Sequence, residues 1–132
     1  MKYLRIVVDE KLALNGAREG FFRKAYELRR NGTMSVDQHR KLDRYLNFLD
    51  DHIDVPSKFS KSTSKAAEYR ETKGICWFKT SANAEVEVAL ALARLLDDLG
   101  IASTVLRTNR IGYVVFEDEV QIVAEPFSDT PK

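Results

Sequence analysis

The residues best suited to chemistry form two short clusters. Lys79, Thr80 and Ser81 stand between an apolar run and a broad apolar helix, and Arg107, Asn109 and Arg110 follow the next apolar run. Cations and hydroxyls beside a helix start suit an anion, because the first helical turn offers unpaired N–H groups and roughly half a positive charge. No glycine-rich loop precedes this helix, so the backbone cradle of nucleotide-binding loops is missing.

Other reactive residue types are less well placed. Cys76 lies inside the apolar run Ile75–Phe78, with neither histidine near it in sequence. A thiolate nucleophile needs partial exposure and a neighbouring base or cation, so Cys76 reads as a buried thiol and Trp77 beside it as a core anchor. Asp50, His52 and Asp54 are two apart, and helical residues two apart do not face a common point, so they do not read as a metal site. His39 falls on the stripe of Leu42, Leu46 and Leu49 and reads as a packed imidazole. Glu117 and Glu119 flank a turn and read as solvent-facing charges. No catalytic, cofactor-binding or metal-ligating residue is assigned, which favours a protein that is not an enzyme.

The elements that must position these residues follow from periodicity. Tyr3–Val8 is β-branched and aromatic and predicts a strand. Phe21, Phe22, Ala25 and Leu28 recur at helical spacing and predict a helix over Ala17–Arg30, closed by a left-handed cap at Asn31-Gly32. Ser35 followed by Gln38 is a capping box for a second helix that carries Leu42, Leu46, Leu49 and Ile53 and ends before Pro56. Ile75–Phe78 predicts a buried strand. Thr80 or Ser81 then caps a third helix with a wide apolar face, ended by Gly100. Strands over Ala102–Thr108, Tyr113–Phe116 and Val120–Ala124 complete the chain.

The 132 residues fit one domain, spanning 1–132, that can bury a core without disulfides. Ser57–Lys73 is a polar, linker-like stretch with five cations against two carboxylates, expected as a mobile basic loop in which Lys58, Lys61, Lys65 and Arg70 could assist a binding edge. Residues 128–132 are expected as a short flexible tail. The formal net charge of +1 gives no global field for nucleic acid or an anionic membrane, so any charge argument is local. The longest apolar stretch is too short to span a bilayer. One cysteine and no recognisable leader point to a cytoplasmic setting without membrane partners.

Together these elements predict an α+β fold: an N-terminal strand and helical hairpin packed on a β-α-β-β-β mixed sheet. The strands around the third helix should run parallel through a right-handed crossover, and the last three should form an antiparallel meander. The third helix is expected on one face and the hairpin on the other. This layout gives a basic pole at Lys79, Thr80, Ser81, Arg107, Asn109 and Arg110, and an acidic one at Asp97, Asp98, Glu117, Asp118 and Glu119. The expected function is a small binding or regulatory module recognising an anionic partner, nucleic acid or an acidic protein surface, through the basic edge. The alternatives are a homodimer or larger assembly through the aromatic helical hairpin, and, ranked last, an enzyme acting on a phosphorylated small molecule.

Overall fold

The computed structural model describes residues 1–11, 17–59 and 73–132. Among the described residues there are three helices and six strands, an α+β fold: β1 (Tyr3–Lys11), β2 (Arg18–Gly20), α1 (Phe21–Asn31), α2 (Val36–His52), β3 (Ile75–Lys79), α3 (Asn83–Asp98), β4 (Thr104–Thr108), β5 (Tyr113–Glu117) and β6 (Gln121–Glu125). Lys61, Lys65 and Arg70 of the expected basic loop lie outside the described residues; Lys58 is exposed.

β1 organises the sheet. On one side it pairs with β4 from Tyr3↔Thr108 to Val7↔Thr104. Its other side is shared, first by β3 at Tyr3↔Lys79 and Leu4↔Phe78, then by β2 from Val7↔Gly20. β3 continues into β6, and β6 into β5. β3 and β4 do run in the same direction, as the helical crossover requires, but β1 lies between them. Every hydrogen-bonded pair is therefore antiparallel, and the sheet is not mixed.

The expected meander is also corrected. β4 pairs with β1 at one side of the sheet while β5 pairs with β6 at the other. The four residues between them resemble a hairpin turn, yet they carry the chain across, burying Ile111 against Trp77, Ile122 and Ala124. Gly112 makes that crossing feasible. Its φ is +123°, and an added Cβ would overlap the Glu125 carbonyl oxygen.

All three helices lie on one face, not one on each. Leu4, Ile6 and Phe78 from the sheet pack there with Phe21 and Ala25 of α1, Leu42, Leu46 and Leu49 of α2, and Ala89, Leu92 and Leu96 of α3. Antiparallel strands alternate their side chains between faces, so Ile75, Trp77, Ile122 and Ala124 form a second core on the opposite side, with Ala17, Ile111, Tyr3 and Leu106. The aromatic residues of the helical hairpin, Phe22, Tyr45 and Phe48, pack against the helix-side core, and Phe21 lies within it.

Helix ends partly follow the sequence signals. The Ser35–Gln38 capping box is formed in both directions, and Gly100 takes the positive φ expected after α3. α1 begins only at Phe21, because Arg18–Gly20 instead pairs with β1 as β2. Gly32 closes α1 from an extended conformation, φ −76°, and not the left-handed one. The N-cap of α3 is Ala82, without a side-chain cap, since the Thr80 hydroxyl donates instead to the Met1 and Lys2 carbonyls.

Candidate functional site

The shared edge of β1 leaves a split in the sheet. Extending the β1–β3 register by one residue would set Arg5 opposite Trp77 on the second-core face, but β1 there turns toward β2 while β3 stays with β6. A cavity of about 470 Å³ occupies this split, within the size range of small-molecule sites. Arg5, Ile6 and Trp77 line it from the strands, Phe21 and Phe22 from α1, and Leu49 and Asp50 from α2. Ile53–Pro56, Phe59 and Gly74 also contribute, the last two joined by a 2.6 Å bond from the Gly74 N–H to the Phe59 carbonyl.

Arg5 is the anomaly of this wall. Its Nη2 donates to the Arg18 carbonyl at 2.6 Å, but its buried Nη1 has no acceptor, and no described carboxylate pairs with it. Burial lowers its pKa to about 10, opposed by the nearby Cys76 thiol and reinforced by Arg18. The guanidinium nevertheless stays charged at neutral pH. Trp77, 1% exposed, repeats the pattern: its indole Nε1 is a buried donor without a partner. Each such donor costs about 1–3 kcal/mol, more when charged, so two on residues that line one cavity call for an acceptor.

The other polar groups of the wall are engaged. The Tyr26 hydroxyl donates to Asp50, and burial together with that bond raises the phenol to about 12. Glu19, 3% exposed, pairs with Arg23 at 3.4 Å. Arg18 Nε donates to the Lys132 carbonyl. The Gln121 amide ties three parts together, donating to the Asp54 carbonyl at 2.5 Å and to Asp118 at 3.0 Å while accepting from Cys76 Sγ at 3.3 Å. Burial pushes the Cys76 thiol up to about 12, against the pull of Arg5. It is thus held protonated, although Cys76 is half-buried at the cavity wall and not fully enclosed as its apolar run suggested.

The predicted basic edge is brought together only in part. Lys79 and Thr108 flank Tyr3 in register, so the ends of β3 and β4 do share one end of the sheet. Thr80 and Asn109 meet there on the N-terminal residues, Asn109 Oδ1 accepting from the Lys2 N–H at 2.8 Å. Lys79 pairs with Glu117 at 2.5 Å. Arg110 is held by Asp129 at 3.4 Å and lies over the Phe127 ring. Ser81 and Arg107 are exposed.

The Lys79–Glu117 pair also corrects the expected acidic pole. β6 runs antiparallel to β3, so the β5–β6 turn lies at the Lys79 end and not with Asp97 and Asp98. Asp118 is the cap of that turn: it accepts from the Val120 and Gln121 N–H groups and the Gln121 amide, which together with Lys79 hold its carboxyl below the usual range despite some desolvation. The C-terminal residues also carry contacts, with Thr130 buried and bonded reciprocally to Phe127.

Sequence reasoning passed over Arg5. The available signal was a single charge inside the otherwise apolar run YLRIVV, at a position whose strand neighbours Tyr3 and Val7 share its face. Among the described residues, no group of three His, Cys, Asp or Glu is arranged to hold a metal, and no helix is long and apolar enough to cross a membrane. The chain matches no protein-family model, no curated protein and no solved structure, so the chemistry has to be read from the cavity itself.

Proposed function

We propose that this protein is a small non-enzymatic binding module that holds an anionic ligand in the cavity beside Arg5. The observation that carries the reading is a largely buried guanidinium with one unmatched N–H and no carboxylate partner among the described residues, in the wall of a ligand-sized space. A buried charge without a counterion is strongly destabilising, and an incoming anion removes that cost on binding. This reading replaces the expected partner, nucleic acid or an acidic protein surface met at the Lys79 edge, with a small anion met in the interior. A binding role, not a catalytic one, is supported by the state of the other wall groups: the thiol is protonated, and Glu19 and Asp50 are already engaged.

The test is thermal unfolding of wild type and Arg5→Met across a panel of small organic anions and their uncharged counterparts at constant ionic strength. Saturable stabilisation by an anion in wild type, absent in Arg5→Met, is expected. Equal shifts in both proteins, or none in either, would overturn the proposal.

A further inference from the structure

The cavity carries enough chemistry to name the class of anion. Resting on the binding reading above, we infer that the ligand is a monocarboxylate borne on an apolar body, its carboxylate met by Arg5 and Trp77 and its body by Phe21, Phe22 and Leu49. Three observations converge. The unmatched groups are both donors, a guanidinium N–H and an indole N–H, on two residues that line the same cavity. Neither can accept a hydrogen bond, so a two-oxygen, acceptor-only carboxylate satisfies both.

Charge then limits the anion to one unit. Among the described residues, Arg5 is the wall cation without a counterion, and the others, Arg18 and Lys73, have partners. Glu19, Asp50 and Asp54 contribute to the same wall, so a phosphate monoester would bring a second negative charge toward carboxylates and meet no second unmatched cation among the described residues. The remainder of the wall is mostly apolar, which a bare inorganic anion would leave unused.

The experiment is isothermal titration of the full chain with 3-phenylpropionate, its primary amide, acetate, phenylpropyl phosphate and inorganic phosphate. The carboxylate should bind roughly tenfold or more tightly than its amide, the return expected for a hydrogen bond to a charged group, and more tightly than acetate and either phosphate. Arg5→Met should abolish that preference. Arg5→Lys, which keeps charge but not the fork, and Trp77→Phe, which keeps the ring but not the N–H, should each weaken it. Tighter Arg5-dependent binding of either phosphate would overturn the carboxylate assignment and leave the anion module standing. Acetate matching 3-phenylpropionate would overturn the apolar body alone. If carboxylate and amide bind alike in wild type and Arg5→Met, both readings fall.

Discussion

Replacing Arg5 with methionine should make the protein more stable while removing its ligand. The guanidinium pKa falls from its ordinary value to about 10, chiefly through desolvation. At ~1.36 kcal/mol per unit this corresponds to about 3 kcal/mol of unfavourable charge burial. Above pH 10 and up to the ordinary guanidinium value the unfolded chain holds more protons than the folded one, so stability rises with pH across that window, and the whole cost is present below it. Methionine removes the cost and fills similar space, but leaves the Arg18 carbonyl without the donor that Arg5 Nη2 supplies. That loss offsets about 1–2 kcal/mol, leaving a net gain of about 1–2 kcal/mol. With an unfolding entropy of about 2.1 cal/mol/K per residue, a chain of 132 residues should gain roughly 4–7 °C in Tm. Calorimetry of both proteins at pH 7, without ligand, reads the difference. A clear loss of stability in Arg5→Met would refute the reasoning, because it would mean that Arg5 already has its counterion inside the fold.

Three further outcomes follow from the same structure. With its thiol raised to about 12, Cys76 should resist iodoacetamide in the native protein at pH 8 and react promptly once urea unfolds the chain, as mass spectrometry would show; fast native labelling would contradict its burial. Ser35→Ala removes the hydroxyl that accepts from the Gln38 N–H, while the Ser35 N–H to Gln38 Oε1 bond remains available, and should cost about 1 kcal/mol in a urea titration, with Ser35→Asp largely retaining stability. Asp118, held below its usual 3.8, contributes stability that is present above that pH and lost as pH falls through its folded value. Asp118→Asn should therefore flatten the acid limb of the stability profile below about pH 4 relative to wild type; an unchanged limb would deny Asp118 its role in the turn.

Local signals carried most of the elements and few of their partnerships. The apolar run Ile75–Phe78, the Ser35–Gln38 box and the broad stripe of α3 are short-range patterns, and each appears where the spacing puts it. The split of β1 between β3 and β2 is different, because three residues at Arg18–Gly20 give too short a run to declare a strand. The four-residue link from β4 to β5 has the length and polarity of a hairpin turn, and only the distant pairing of β4 with β1 shows that it is a crossing. That misplacement propagated to the charges, since the position of Glu117 depends on the direction of β5 and β6. Arg5 was visible as a charge in an apolar strand, but its lack of a counterion among the described residues is a property of the assembled fold. No spacing along the chain encodes it.

Trp77 is the chain's single tryptophan and lines the cavity, so its fluorescence reports occupancy without a label. Titrating 3-phenylpropionate into the protein at pH 7 should shift or quench Trp77 emission saturably, and the change should be lost in Arg5→Met while the variant's far-ultraviolet circular dichroism stays native. A saturable response that survives Arg5→Met unchanged would contradict the claim that the buried, unpaired guanidinium is there to meet an anion.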